Sequence, residues 1–254
     1  MTAARLNYEL AGEPGAPPLL LVGSLGTSLR MWAPQMDAAL AHFRVLRAEC
    51  RGHGGSEVPP GPYAVDELAR DVLALLDSLG IAAVSYCGLS LGGMIGMWLA
   101  ARAPDRIGRL ALCCTSAWLP PAEAWISRAA AVREYGTASI RDQVVDRWFT
   151  AAFRERDPAT VRWAAEMLAA TPAEGYAGCC EAIAALDLRP ALPAIAAPTL
   201  VIAGAADPAT PSAHGAAIAA GIPGARLSLV QAAHLANIEA APAVNDLLMR
   251  HLIG

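Results

Sequence analysis

The sequence predicts an α/β fold in which helices cover both faces of a mostly parallel sheet. Short apolar runs, of the length of buried strands, alternate with segments of helical periodicity. The chain has 254 residues, of which 55% are apolar and only 17% charged, so it can bury one sizeable core. A long segment, from about 117 to 187, has a helical pattern throughout, and we interpret it as an insertion between two strands.

Six apolar runs predict the strands of the sheet. They lie at 18–23, 43–49, 82–88, 109–115, 198–204 and 225–230. Three segments between or after them have apolar residues at helical spacing: 64–80, 91–104 and 241–252. Because strand, helix and strand recur in this order, the strands are expected to run parallel.

The inserted segment predicts a helical cap. Four stretches of helical pattern, each beginning near a Pro or a small polar residue, fill it: 121–136, 138–153, 158–170 and 172–186. Residues 1–116 and 188–254 are then the core, and residues 117–187 are the cap. Such an insertion lies over the carboxyl end of a parallel sheet, where ligands bind.

Composition argues against several classes of function. A net charge of −4 and the lack of a basic run argue against a nucleic-acid partner. No membrane span and no secretory signal is recognisable, so we expect a cytoplasmic protein. The six cysteines form no C-x-x-C pair, which predicts buried free thiols rather than disulfides or a zinc site. No metal or cofactor is expected.

The stretch Gly88-Leu89-Ser90-Leu91-Gly92 fits the G-x-S-x-G pattern of a nucleophilic serine. A predicted strand ends just before it, and a predicted helix begins at about Leu91. A change from strand to helix within so few residues reverses the chain direction and strains the backbone at Ser90. Glycines on both sides are needed, because side chains there would collide with the neighbouring chain. A tight turn with an incidental serine is the alternative. The flanking strand and helix favour the nucleophile.

A serine hydroxyl needs a base to remove its proton, and His234 is the predicted base. It directly follows the last predicted strand, so its loop reaches the same end of the sheet as Ser90. The other four histidines are expected to take no part: His42 and His251 at the surface, His214 at a helix start, and His53 as a structural hydrogen-bonding group.

The base in turn needs a carboxylate, and Asp207 follows the penultimate predicted strand. Asp187 lies at the amino-terminal side of that strand and is rejected. An Asp before Pro often only starts a turn, which is the alternative for Asp207. The chain order serine, aspartate, histidine is that of the nucleophile-elbow hydrolases.

Two backbone amides are predicted to stabilise the oxyanion formed when the serine attacks. One is the N–H of Leu91, directly after the nucleophile, and the other is the N–H of Leu25 in the loop "GSLGTS". Gly23 and Gly26 allow this loop to approach closely.

Longer segments of the chain resemble the α/β-hydrolase superfamily and, within it, the 3-oxoadipate enol-lactonases of the β-ketoadipate pathway. The segments include "SLGTSLRMW", "CGLSLGGMIGMWLA", "PTLVIAGAADPATP" and "AAHLANIE", with "SLGT", "RWFT" and "GYAG" pointing to the lactonases. The resemblance implies an α/β-hydrolase fold with an eight-stranded type of sheet and a helical lid. It implies cofactor-free hydrolysis of 3-oxoadipate enol-lactone through an acyl-enzyme.

The same resemblance implies a catalytic triad of Ser90, Asp207 and His234, and oxyanion donors at Leu25 and Leu91. Three positions depart from the family pattern, which commonly has Asn, Asp and Gln there. These are Gly23, Glu49 and Met97, and we expect them to lie near the pocket wall and to bear on the choice of substrate.

Cap residues are the candidates for substrate binding. Trp125 and Trp148 are predicted to wall the pocket, with burial in the cap core as the alternative. A carboxylated substrate is implied by the resemblance, so Arg128, Arg133 or Arg147 could pair with it, and Arg133 is our prediction. A solvated surface position is the alternative for each arginine.

Two rival functions stay open at this stage. One is a carboxylesterase or tailoring hydrolase that acts on an apolar ester. The other is a ligand-binding protein of the same fold without turnover. If the protein is a lactonase or an esterase, the expected partner is a small-molecule lactone or ester substrate.

Overall fold

The computed structural model describes residues 3–254, which form a seven-stranded sheet in the order β1-β3-β2-β4-β5-β6-β7. The strand β1 is antiparallel to β3, and all other neighbours are parallel. The strands are β1 (Tyr8–Ala11), β2 (Pro18–Val22), β3 (Arg44–Ala48), β4 (Val84–Leu89), β5 (Ile107–Cys113), β6 (Thr199–Gly204) and β7 (Arg226–Val230).

All six predicted strands are present, each within two residues of its predicted ends, and the expected α/β architecture with a mostly parallel sheet is confirmed. The strand β1 was missed because its four residues are at the sheet edge and half exposed, so no apolar run marks them. The described residues form seven strands, where the resemblance implied an eight-stranded type of sheet.

Eleven helices accompany the sheet in the described residues. They are α1 (Met36–Leu40), α2 (Val65–Ser78), α3 (Leu91–Arg102), α4 (Ala122–Tyr135), α5 (Arg141–Trp148), α6 (Ala151–Arg156), α7 (Pro158–Ala169), α8 (Ala173–Ala184), α9 (Ser212–Gly221), α10 (Ala236–Glu239) and α11 (Ala241–Ile253). The helix α3 is apolar on nearly every face because it packs against β4, β5 and α2. Short 3₁₀ turns lie at 29–35, 104–106, 137–140 and 189–194.

The segment proposed as the cap, residues 117–187, contains α4 to α8 and no strand. Its two ends are held together, because Trp118 and Asp187 form an isolated antiparallel bridge and the N–H of Leu188 donates to the carbonyl of Ala117 at 2.8 Å. The stretch 138–153 was expected to be one helix. Instead α5 ends at Trp148, and a new helix begins after the N-cap Thr150.

The cap also docks on the core through two glycines. Gly175, in the first turn of α8, contacts the backbone of Gly52, which has a φ of +74°. A Cβ on Gly175 would lie 2.0 Å from the Gly52 carbonyl oxygen. The backbones can therefore approach this closely only while both positions lack a side chain.

Two sequence expectations about buried groups have different outcomes. All six cysteines are free and buried, as predicted. The prediction of a surface position for His251 is wrong, because its side chain is buried and its Nε2 lies 3.0 Å from the carbonyl oxygen of Leu110 on β5. The helix α11 packs the face that carries His251 against the sheet. The polarity of one residue does not predict which face of a helix is buried.

We expect the substitution Gly175→Ala to lower the free energy of unfolding by about 1–3 kcal/mol, because the added methyl group forces the cap away from the core. Urea unfolding followed by circular dichroism measures the change. Gly15→Ala is the matched control, since a Cβ on Gly15 meets no atom within 4 Å. Equal stability of the two variants would contradict the proposed close contact.

Candidate active site

The turn at Ser90, at the carboxyl end of the sheet, has a strained backbone. Ser90 has φ 55° and ψ −112°, and it is the only residue between the end of β4 and the start of α3. Its N–H donates to the carbonyl of Cys113 at 2.9 Å, and its own carbonyl accepts from the Thr115 hydroxyl at 2.6 Å. These bonds hold a backbone conformation that L-residues rarely adopt, which projects the hydroxyl from the turn.

The glycines beside Ser90 are required by backbone contacts. A Cβ on Gly88 would lie 2.2 Å from the carbonyl oxygen of Gly92. A Cβ on Gly92 would lie 2.1 Å from the carbonyl oxygen of Val22, at the end of β2. The collisions expected from the sequence pattern are therefore present, and side chains at either position would open the turn.

His234 and Asp207 form a buried hydrogen-bonded pair, with Nδ1 of His234 at 2.8 Å from Oδ2 of Asp207. The Asp207 carboxylate also accepts from the N–H groups of Ala209 and Thr210 at 2.8 and 3.0 Å, and from the Thr210 hydroxyl at 2.7 Å. An ionised Asp207 makes Nδ1 of His234 the donor, so Nε2 keeps its lone pair.

The electrostatic balance at Asp207 favours the carboxylate. Burial by itself would raise the pKa of Asp207, but the charge and hydrogen bond of His234, together with the hydrogen bonds from Thr210, lower the pKa below its ordinary value. Asp207 is therefore ionised at neutral pH and fixes both the orientation and the tautomer of the imidazole.

Ser90 and His234 line the same cavity, which lies between the cap and the carboxyl ends of the strands. Ser90 follows β4, Asp207 follows β6 and His234 follows β7, so three loops converge here. No hydrogen bond joins the Ser90 hydroxyl to His234 within residues 3–254. Catalytic contacts of this kind tighten when substrate binds.

Two backbone N–H groups beside Ser90 have no hydrogen-bond partner in the part of the chain that the structure describes. They belong to Leu25 and Leu91, the two predicted oxyanion donors. The neighbours of Leu25 are all engaged: the Ser24 N–H with the Met31 sulfur at 3.4 Å, the Gly26 N–H with His53 at 2.9 Å and the Thr27 N–H with the Ser24 carbonyl at 3.2 Å.

His53 positions the loop that carries Leu25. Its Nε2 accepts the hydrogen bond from the Gly26 N–H, so its Nδ1 carries the proton and donates to the carbonyl of Arg51 at 3.1 Å. Burial lowers the pKa of His53 below its ordinary value, although the Arg51 carbonyl and the Glu49 charge act in the opposite direction. His53 is thus a neutral structural group.

Both tryptophans predicted for the pocket line the cavity, and so do two arginines. Arg128 lies with its guanidinium carbon 4.7 Å from the centre of the Trp125 ring, and Arg147 precedes Trp148 at the end of α5. Within the described residues neither guanidinium lies within 4 Å of a carboxylate oxygen. The cavity therefore has positive charge on its cap side.

The structure does not bring Arg133 to the cavity. Its guanidinium is bound by Glu174 at 2.8 Å and by Glu181 at 2.5 Å, and it joins α4 to α8. The Glu174 carboxylate also accepts from the N–H of Gly61 at 2.7 Å. The prediction of Arg133 as a substrate-binding residue is therefore corrected to a structural role between the cap helices and the core.

The three departures from the family pattern do not line the cavity either. Glu49 is buried and accepts from the N–H groups of Leu29 and Gly55 at 3.0 and 2.8 Å, so it organises core loops. Met97 is buried in α3. A Cβ on Gly23 would lie 2.5 Å from the Met31 sulfur, so that sulfur occupies the space of a side chain.

Sequence reasoning missed Thr210 and most of the apolar lining. Thr210 stands three residues after Asp207, where a hydroxyl and an N–H can both reach the carboxylate, and this spacing was the available signal. The missed apolar and aromatic lining residues are Met94, Leu119, Val144, Tyr176 and Ile183.

In residues 3–254 no group of three His, Cys, Asp or Glu side chains is arranged to hold a metal ion, and no helix is long and apolar enough to cross a membrane.

Comparisons with known proteins agree with this geometry. Residues 17–241 match a family model of the alpha/beta hydrolase fold. The chain is 42% identical to 3-oxoadipate enol-lactonase 2 of Acinetobacter baylyi, over 94% of this chain and 90% of that protein. It is 35% identical to 3-oxoadipate enol-lactonase 1 of the same organism, over 92% of this chain and 88% of that protein.

Solved structures give the same result. An enol-lactonase from Burkholderia xenovorans LB400 superposes with a TM-score of 0.97 at 46% identity, covering 99% of this chain and 97% of that one. A hydrolase from Pseudomonas aeruginosa PA01 superposes with a TM-score of 0.96 at 46% identity, covering 99% and 95%. The resemblance inferred from the sequence segments is confirmed. This chain belongs to the 3-oxoadipate enol-lactonase family of α/β-hydrolases.

Proposed function

We propose that this hydrolase of ester and lactone bonds opens 3-oxoadipate enol-lactone through an acyl-enzyme on Ser90. One observation carries the proposal: Ser90, Leu25 and His234, whose Nδ1 is bound to Asp207, line a single cavity together with two cap arginines that form no ion pair within residues 3–254. Similarity to the two Acinetobacter enol-lactonases supports the choice of substrate.

Acylation begins with the lone pair on Nε2 of His234. It accepts the Ser90 proton as the serine oxygen attacks the lactone carbonyl, and Asp207 stabilises the imidazolium that forms. The negative charge on the carbonyl oxygen is stabilised by the N–H groups of Leu25 and Leu91, which are worth roughly 10² to 10³ in rate for each donor. The ring C–O bond then breaks, and the imidazolium returns its proton.

The leaving oxygen of an enol-lactone is an enol, which remains part of the acyl chain. It converts to the ketone, and this tautomerisation makes ring opening effectively irreversible. Water then attacks the acyl-enzyme while His234 accepts one of its protons, and the ester bond to Ser90 breaks. The product is the dicarboxylate 3-oxoadipate, and Ser90 regains its hydroxyl proton from His234.

Charge recognition is proposed for the cap side of the cavity. 3-Oxoadipate has two carboxylates, and lactone formation consumes one of them, so the substrate keeps one negative charge. Arg128 and Arg147 line the cavity and have the donor geometry that suits a carboxylate. Stacking of Arg128 on Trp125 limits its rotamers, which reduces the entropy lost on binding.

We expect Ser90→Ala to lower kcat at least about 10⁴-fold, because the nucleophile of the triad is lost while the fold is kept. Steady-state hydrolysis of the enol-lactone measures the rate, and mass spectrometry after rapid acid quench detects the acyl-enzyme. Ser24→Ala is the matched control, since Ser24 lines the same cavity. An acyl adduct in the Ser90 variant, or none in the Ser24 variant, would contradict the assignment.

Replacement of either cavity arginine by glutamine should raise KM for the enol-lactone about 10- to 100-fold, the equivalent of one charge-assisted hydrogen bond of about 1.5–3 kcal/mol. Hydrolysis of an uncharged aryl ester should change less than about 3-fold, because it makes no such bond. Arg162→Gln, on the exposed side of α7, is the control. Equal losses on both substrates would count against carboxylate recognition by Arg128 and Arg147.

The neutral state of His53 predicts a dependence of stability on pH. Its folded-state pKa is lowered, whereas in the unfolded chain it returns to about 6.5. The unfolded chain therefore binds the extra proton first as the pH falls. The stability that neutral His53 contributes is complete above about pH 6.5 and is lost as the pH falls towards the folded-state pKa.

We expect the free energy of unfolding to fall between pH 7 and pH 5 more steeply in the wild type than in His53→Gln, by up to about 1.4 kcal/mol per pH unit. Glutamine keeps an acceptor for the Gly26 N–H and does not titrate. The buried His251 also has a lowered pKa, but it is present in both proteins and cancels. Urea unfolding at several pH values measures the slopes, with the exposed His42→Gln as control. Parallel curves for wild type and His53→Gln would refute the neutral imidazole.

A further inference from the structure

The loop that carries His234 is bound to one segment of the cap directly on one side of the histidine and through the side chain of Glu239 on the other side. We call residues 233–235 the histidine loop and residues 148–150 the cap hinge segment. The N–H of Leu235 donates to the carbonyl of Trp148 at 3.0 Å. The N–H of Ala233 donates at 2.9 Å to a carboxylate oxygen of Glu239, and that carboxylate also contacts the cap hinge segment.

The Glu239 carboxylate is the link in this arrangement. Besides the Ala233 N–H, it accepts from the N–H of Thr150 at 3.2 Å and from the Thr150 hydroxyl. Thr150 is also the N-cap of α6, since its hydroxyl oxygen accepts from the Phe153 N–H at 3.2 Å. One side chain therefore connects the loop of the proposed base to the start of α6.

The opposite side of the histidine loop is fixed by the sheet. A Cβ on Gly204, at the end of β6, would lie 2.3 Å from the carbonyl oxygen of Ala233 and 2.6 Å from that of Ala232. The loop therefore rests directly against the strand backbone. Glu239 and the cap hinge segment form the other side of a clamp, so the main chain of His234 has little freedom while these bonds last.

We propose that Glu239 is a positioning residue that sets the main chain of the catalytic histidine and couples it to the cap. The proposal rests on the proposed function, because it takes His234 as the base. Asp207 orients the imidazole ring, and Glu239 places the backbone from which the ring extends. Since Trp148 lines the cavity and its carbonyl binds the histidine loop, the pocket wall and the base are held in one unit.

Two properties distinguish this role from plain support of the cap. A supporting residue would affect substrate binding through the pocket wall and so raise KM. A residue that positions the base affects the chemical step for every substrate, because displacement of a catalytic group by about 1 Å costs on the order of 10²-fold in rate. It also affects the reaction of Ser90 with reagents that make no contact with the cap.

The test compares Glu239→Ala with Glu239→Gln. Glutamine keeps one carbonyl oxygen for the Ala233 N–H, and its amide can donate to the Thr150 hydroxyl, whereas alanine removes every contact. We expect Glu239→Ala to lower kcat about 10- to 100-fold for both the enol-lactone and a small uncharged aryl ester, and Glu239→Gln to stay within about 5-fold of wild type. The rate at which a small alkyl fluorophosphonate labels Ser90 should fall in parallel with kcat.

Glu155→Ala is the control for loss of a carboxylate that makes no contact with the histidine loop, because Glu155 is exposed on α6. Unchanged kcat and labelling in Glu239→Ala would overturn the proposal, and so would an effect confined to KM for the enol-lactone. Ser90→Ala is the reference variant. Turnover in it would refute the proposed nucleophile, whereas an inactive Ser90→Ala beside an unaffected Glu239→Ala refutes the positioning role alone.

A second pair of variants applies if Glu239→Ala does not fold. Thr150→Val removes the hydroxyl that Glu239 and α6 share, while Thr150→Ser keeps it. Asp157→Ala removes the comparable N-cap of α7, which accepts from the Thr160 N–H at 3.0 Å and has no contact with the histidine loop. We expect Thr150→Val alone to lower kcat and Ser90 labelling, and Thr150→Ser to restore both. Equal effects of Thr150→Val and Asp157→Ala would show helix capping only and would contradict the proposal.

Discussion

The close approach of the backbone at Gly92 to the end of β2 is the constraint on which the rest of the site depends. The Gly92 N–H donates to the Gly23 carbonyl at 3.0 Å, so the start of α3 is bound directly to the loop that follows β2. The two free amides, of Leu25 and Leu91, stand on either side of this bond. Because both donors belong to the backbone, their directions depend on the chain path alone, and a side chain at Gly92 would separate them.

Burial then divides the polar groups of the core into two kinds. Asp207 stays ionised because four donors surround its carboxylate, which offsets the cost of removing a charge from water. His53 stays neutral because the cost of burial outweighs the Arg51 carbonyl and the Glu49 charge, which favour the protonated ring, and the lone pair on its Nε2 accepts from the Gly26 N–H. The same physical cost of desolvation therefore yields a charged partner for the base and an uncharged support for the oxyanion loop.

The sequence was sufficient for the features that local rules decide. Strands β2 to β7 are marked by apolar runs. The turn at Ser90 is marked by glycines, because the backbone contacts at those positions leave no space for a side chain. Features that depend on distant packing were missed. Arg133 was chosen over Arg128 and Arg147 because a helical pattern does not reveal which face of α4 meets Glu174 and Glu181. The buried His251 was missed for the same reason, whereas β1 was missed because its half-exposed edge position leaves no apolar run.

Chemistry and selectivity are separated in this fold, but the two walls of the cap are not equivalent. Trp125 and Arg128 stand on α4, which packs against α8 and is joined to it, away from the cavity, by the ion pairs of Arg133 with Glu174 and Glu181. Arg147 and Trp148 end α5, and Trp148 is the first residue of the cap hinge segment, which is bound to the histidine loop directly at Leu235 and through Glu239. Substitution on α4 can therefore alter substrate choice while the base stays in place. A substitution that shifts the main chain of the cap hinge segment changes the pocket and the position of His234 together, so that selectivity and rate change together there.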